Sequence, residues 1–263
     1  MLVFSALVPH PPIIIPTIGK ENLNHVRKTI QAMKELEKIL YASKPDIIMI
    51  VSPHTPILSD AFTINLSPTY KINFHQFGDL VTKKEFKSSP LLIDRLHEDL
   101  EDAKIPTVLI SEENLDHGSG VPLYYLTQHL KEIAIIPLGY SLLDFQTHLD
   151  FGNTLKDQII ETNKRVAFIA SGDLSHRLNK NAPAGFSPQG KIFDEKLIEL
   201  LKNKDIKGIV GMEAKLIEEA GECGFRSILI LLGLLQNINF QPKILSYEAP
   251  FGVGYLVAQF KLR

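Results

Sequence analysis

The chain has a single cysteine, Cys223, so no internal disulfide framework can staple it, and its thiol content fits a reducing compartment. No apolar run reaches the roughly 18 residues that suggest a membrane span. Neither sign of charge dominates: a formal net charge of -2 gives no electrostatic reason to expect nucleic acid or an anionic membrane as partner. Gly/Ser-rich linkers, charge blocks, low-complexity tracts and internal repeats are also lacking, which argues for one domain over residues 1–263. The opening MLVFSALVPHPP has no basic n-region and no small-residue cleavage site, so it reads as a first strand rather than a leader. A cytoplasmic protein is the expectation.

What the chain does contain is ordinary for a globular protein: 44% hydrophobic and 22% charged residues, with enough length to bury a sizeable core. Strand-like and helix-like segments alternate. Residues 2–8 form an apolar run closed by Pro9, Pro11 and Pro12. From 22 to 42 the positions Leu23, Val26, Ile30, Met33, Leu36 and Leu40 recur at helical spacing. IIMIV and VAFIA read as strands buried on both faces. Helices are expected after Pro90, over VPLYYLTQHLKE, 149–163, 192–202 and 224–235, while residues 62–86 look like an excursion from the main sheet. The closing strands PKILSYE and VGYLVAQFKL follow one another without a helix and predict an antiparallel pair. The pattern predicts an α/β fold, a single three-layer αβα domain around a central, mostly parallel mixed sheet.

Four of the nine histidines stand just beyond strand-like runs. His10 ends LVFSALVPHPP, His54 ends DIIMIVSPHTP, His176 ends RVAFIASGDLSH, and His117 lies in NLDHGSGVPL after TVLI. Loops at the carboxyl ends of strands line the ligand crevice of α/β proteins, and imidazole is both a frequent metal ligand and a proton carrier near neutral pH. Proline on both sides of His10 and His54 stiffens those turns. The two read as a ligand pair, although isolated histidines in proline turns are the bland alternative. EEAGECGFRS offers Glu222 and Cys223 as third donors; a carboxylate favoured by a helix N-terminus explains Glu222 at least as well. His176 with Asp173 and Ser175, and His117 with Asp116, read as proton-handling turns or as helix caps. A serine hydrolase is rejected, because these three residues share one turn and no GxSxG elbow is present. His25, His97, His129 and His148 fall on amphipathic stretches and are expected at the surface, while His75 is undecided. Glu248, in SYEAPFGVGY, is either near the pocket or a strand cap.

VPHPP, SPHTP, LDHGSGVPL, SGDLSHRL, GECGFRS and SYEAPFGVGY together make the chain resemble the class III extradiol ring-cleavage dioxygenases (LigB-like), closest to the LigB-like domain of AmmeMemoRadiSam system proteins and more distantly similar to Memo. The resemblance spans nearly the whole chain in order. It implies a phosphorylase/hydrolase-like αβα fold and an Fe(II) site of His10, His54 and Glu222, with zinc or copper as alternatives and Cys223 as the Memo-like third ligand. It implies His176 as acid/base and His117 as a second catalytic histidine, with Asp173, Asp116 and Ser175 at the substrate. The implied reaction is cleavage of a catechol-type aromatic ring with O2. The alternative is a Memo-like metal-binding or assembly protein of a radical-SAM-associated system, without ring cleavage. A homo-oligomer is expected, and a separate partner protein of that system, since relatives often carry a further C-terminal domain that is absent or encoded apart here.

Overall fold

The computed structural model describes residues 1–263. In chain order the elements are β1 (Leu2–Val8), α1 (Pro16–Gly19), α2 (Arg27–Ser43), β2 (Ile47–Ser52), β3 (Phe62–Asn65), β4 (Thr69–Phe74), β5 (Asp79–Ser88), α3 (Pro90–Asp102) and β6 (Thr107–Ile110). They continue with α4 (His117–Leu126), β7 (Ala134–Gly139), α5 (Phe145–Glu161), β8 (Val166–Ser171), α6 (Pro188–Asn203), α7 (Ile206–Val210), α8 (Ala214–Ala220), α9 (Phe225–Leu234), β9 (Phe240–Glu248) and β10 (Tyr255–Leu262). One sheet runs β4-β5-β7-β2-β8-β1-β10-β9, and β7 also carries β3, which in turn pairs with β6. Its centre, β7-β2-β8-β1, is parallel, and β10 and β9 close one side antiparallel.

The strand sequences explain the layering. β2 and β8 are buried along their whole length. Ile47, Met49 and Val51 enter a core shared with α5 and α9, whereas Ile48 and Ile50 enter a second core with Met33 and Leu36 of α2. Side chains of period two therefore feed two hydrophobic layers, and helices cover both faces. The fold is the three-layer αβα arrangement with a mixed, mostly parallel sheet.

Two expectations change. Residues 62–86 do not leave the sheet: β3 pairs with β7, and β4 and β5 form a hairpin that joins it through Lys87 and Ser88 beside Ala134 and Ile135 of β7. The alternation of buried Tyr70, Ile72 and Phe74 with Lys71 and Asn73 is the half-buried strand signature that accounts for this. His148, expected at the surface, is fully buried. It shares one helical stripe of α5 with Leu149, Leu155 and Ile159, and its ring packs between Phe62 and Tyr140.

Candidate metal centre

β2, β8 and β1 are adjacent and parallel, so the loops leaving their carboxyl ends emerge side by side. His10 follows β1 and His54 follows β2, each two residues on, while Asp173 and His176 follow β8. The Nε2 atoms of His10 and His54 are 3.1 Å apart, and Cys223 Sγ lies 3.7 Å from His10 Nε2. These three donor atoms all fall within 4.8 Å of one another. His10 is buried, and its Nδ1 contacts Ser171 Oγ at 2.9 Å. That hydroxyl donates its own proton to the Gly118 carbonyl at 2.5 Å. Ser171 can then only accept, so Nδ1 carries the hydrogen and the Nε2 lone pair faces the cluster. Burial, followed by the neighbouring His117, pulls the His54 pKa down to about 4, and burial holds His10 well below its ordinary value. Both rings are neutral at pH 7, as ligation requires.

Cys223 arrives because two glycine backbones touch. A Cβ on Gly172 would collide with Gly224 Cα, so glycine at 172 lets the loop before α9 lie against the end of β8, and one on Gly224 would crowd the Asp173 carbonyl at 3.0 Å. Backbone bonds then fasten the loops together. Cys223 and Gly224 donate to the Asp173 carbonyl at 3.3 and 3.0 Å, and Asp173 N donates to Cys223 Sγ at 3.3 Å. The Asp173 carboxylate accepts from His10 N at 3.0 Å, and its second oxygen stands 3.9 Å from His10 Nε2 and 4.0 Å from His176 Nε2. Burial pushes this acid up to about 7 and raises the Cys223 thiol well above its ordinary value. His176 has a buried Nδ1 with no partner.

His117 opens α4 and stacks on His54 at 4.1 Å between ring centroids, with its edge towards Phe77. Asp116 is the N-cap beneath it. Its carboxylate accepts from Ser52 Oγ (2.5 Å), Ser119 N (3.0 Å) and Thr55 Oγ1 (3.0 Å), so it organises the His54 and His117 turns. Gly118 lets α4 approach, since a Cβ there would strike Ser52 Oγ.

The remaining expected site residues have other partners. The Glu222 carboxylate accepts from Phe225 N at 2.5 Å, caps the start of α9, and stands outside the donor cluster; burial pushes it up to about 7. Ser175 is fully buried and donates to the Ala220 carbonyl at 2.8 Å. Glu248 accepts from both Thr29 N and Thr29 Oγ1 at 2.7 Å, tying β9 to α2.

SYEAPFGVGY has a structural task. Gly254 exchanges backbone bonds with Leu174 and Ser175 (2.8 and 2.9 Å), and Tyr247 OH donates to Asp194 Oδ2 at 2.6 Å. Asp194 Oδ1 in turn accepts from Ser175 N at 2.8 Å, clamping the loop that carries Asp173 and His176. Burial lifts the Asp194 acid to about 6. Sequence reading overlooked Asp194, though an acid sharing the apolar face of α6 with Leu197 and Leu201 was a legible signal.

Beside His54 and His117 opens a cleft of about 620 Å³ whose only hydrophobic lining residue is Leu115. His75, undecided from sequence, lines it with Asn65, Asn73, Gln76, Glu112 and Asn114. No helix of the protein is long and apolar enough to cross a membrane.

Comparison with known proteins identifies the family. The family model for the catalytic LigB subunit of aromatic ring-opening dioxygenase matches residues 5–258. A Clostridium acetobutylicum protein is 33% identical over 97% of this chain and 56% of its own length. A MEMO1 family protein of Methanosarcina mazei is 26% identical over 65% of this chain and 63% of its own. The 3,4-dihydroxyphenylacetate 2,3-dioxygenase of Escherichia coli is 25% identical over 52% of each. The chain thus matches between about half and two thirds of the length of these relatives. A crystal structure of an uncharacterised Escherichia coli K12 protein superposes with a TM-score of 0.69 at 20% identity, covering 98% of this chain and 99% of that one, a likeness of fold. With a strand-end cluster able to hold a metal and a family match over nearly its whole length, the chain belongs to the LigB family.

Proposed function

We propose that this protein is a metal-dependent, Memo-like member of the family whose ion is held by His10, His54 and Cys223. The observation that carries the reading is the third donor: Cys223 Sγ completes the cluster while the Glu222 carboxylate caps α9. The donor set fits a metal, because Ser171 turns the His10 lone pair inward and His54 is neutral. A thiolate beside two imidazoles favours zinc or copper over the Fe(II) expected for two histidines and a carboxylate. Such an ion supplies Lewis acidity and, for copper, a redox couple. Around it, Cys223 must lose its thiol proton as the ion enters, so uptake releases a proton and strengthens with rising pH. Asp173 stands between His10 and His176, one carboxylate oxygen lying 3.9 and 4.0 Å from their Nε2 atoms, where its charge acts on both rings. His117, held over His54, offers its ring to a ligand in the cleft.

Cobalt substitution tests the ligand set. The Co(II) protein should show a thiolate-to-metal charge-transfer band that disappears in Cys223→Ser and persists in Glu222→Gln. A spectrum without that band, or one indifferent to Cys223, rejects the assignment. Ring cleavage is a second reading, supported by His117 and His176 flanking the cluster and by likeness to a ring-opening relative. Iron-reconstituted protein that consumes no oxygen across a catechol panel rejects it. Likeness to MEMO1 family proteins also supports the expected separate partner of a radical-SAM-associated system.

A further inference from the structure

We infer that Tyr140 and Arg226 form a second recognition point at this end of the sheet, one that takes the carboxylate group of a small organic ligand. The inference goes beyond the metal assignment and does not depend on it. Gly139 ends β7 level with Ser52 of β2, so Tyr140 leaves the sheet beside the turn that carries His54. Arg226 lies in the first turn of α9, three residues after Cys223. Its guanidinium carbon stands 6.0 Å from the centre of the Tyr140 ring and 5.5 Å from that of Phe145, so two aromatic rings set the direction of the side chain. Burial raises the pKa of the Tyr140 hydroxyl, and Glu222 and Cys223 raise it further while Arg226 opposes them. The phenol therefore lies in the field of all three groups.

The Arg226 cation has no answering group in the protein. It makes no ion pair, although Glu222 lies only four residues earlier, because that carboxylate is turned to the amide of Phe225. Asp144, the acid beside Phe145, is taken by Thr147 N and Oγ1 at 2.9 and 3.0 Å. Nε of Arg226 is buried without a partner. The two terminal amino nitrogens make no hydrogen bond within the protein and stay open to solvent, as does the Tyr140 hydroxyl. A buried donor left unpaired is costly and uncommon, so the guanidinium is held between the rings at the expense of its own hydrogen bonding. The end-on fork and the phenol supply three donors, and a carboxylate offers two oxygens in a matching plane. A metal ion at Cys223 would add positive charge and favour the same ligand. Glu222 is the opposing charge, and the Phe225 amide answers part of it.

NMR of the zinc-loaded full chain tests this with benzoate and its neutral isostere benzamide. The Arg226 Nε–Hε signal, identified by its loss in Arg226→Lys, should shift with benzoate. Ligand-observed titrations should give benzoate a Kd about tenfold or more below that of benzamide, the scale of one charge-assisted contact. Zinc also attracts benzoate, so the variants decide. Arg226→Gln should weaken benzoate about tenfold and leave benzamide within about twofold, with zinc stoichiometry unchanged. Arg226→Lys keeps the charge without the fork and should fall between parent and Arg226→Gln, while Tyr140→Phe should weaken benzoate about threefold. Benzoate affinity indifferent to Arg226→Gln or to Tyr140→Phe overturns the inference. So does benzamide binding as tightly as benzoate, or an Arg226 signal silent to benzoate because Glu222 occupies the cation in solution. If the chain takes up no zinc, the same titrations on the metal-free chain still read Arg226. Benzoate selection without metal sinks only the metal assignment, and zinc binding without benzoate selection sinks only this subsite.

Discussion

The two walls of the site are built differently. On one side His10, Asp173 and Cys223 are locked by backbone bonds between β1, β8 and the loop before α9, with glycine against glycine at their contact. On the other side His54 and His117 stack at the edge of an open cleft of about 620 Å³. The first wall permits almost no movement of its donors, and the second leaves room for a ligand. Two of the three clustered donor residues thus sit on the locked wall, and the third, His54, stands where the cluster meets the cleft.

Mutations on the two walls should therefore behave differently. The largest effect is expected from the donors themselves: His10→Ala or Cys223→Ala should lower zinc affinity by more than about a hundredfold, beyond the usual cost of losing a second-shell contact. His117→Ala, on the cleft side, should leave it within about threefold. Competition with a chromophoric chelator measures both, and equal losses would erase the distinction between the walls. Gly172→Ala forces a Cβ into the Gly224 backbone and should destabilise the fold by about 1–3 kcal/mol, read by thermal unfolding. A variant as stable as the parent would show that the glycine contact is not what brings Cys223 in. Ser171→Ala removes the acceptor that fixes the His10 tautomer and should weaken zinc binding by about tenfold, with a loss of about 1–3 kcal/mol in stability because the buried His10 Nδ1 and Gly118 carbonyl lose a partner.

The smallest effect concerns the clamp behind the rigid wall. Asp194 has a folded pKa raised to about 6 by burial, above its unfolded value. The folded state therefore binds the proton more tightly, so this group's stabilisation is fully present below about pH 3.9 and is lost as pH rises through about 6. Asp194→Asn removes that dependence while costing hydrogen-bond quality with Ser175 and Tyr247. The difference in unfolding free energy between parent and variant should narrow by about 1 kcal/mol or more between pH 4 and pH 7. A pH-independent gap in urea titrations would show that Asp194 does not titrate in this range.

Much of this was legible from sequence because the physics is local. IIMIV and VAFIA carry the mark of strands buried on both sides, and proline stiffens the turns holding His10 and His54. The convergence of those two histidines with His176 follows once β1, β2 and β8 are adjacent and parallel, whereas His117 arrives by another route, because β6 pairs only with β3, which runs antiparallel to β7. The hairpin at 69–88 was harder, since its alternation is broken by Lys83, Lys84 and Glu85. His148 was misjudged because charged neighbours in sequence said nothing of which face of α5 meets Phe62.

Between Glu222 and Cys223 the sequence could not choose. The two are adjacent, both can ligate metal, and which one turns inward depends on the orphan amides of α9 and on where Gly224 meets Gly172. The first is local, but the second is a contact between segments about fifty residues apart. The alternation of apolar runs determined the sheet, and the strand ends determined which histidines could meet. Only the tertiary structure decided that a thiol joins them, because side-chain direction in a loop is set by what packs against it.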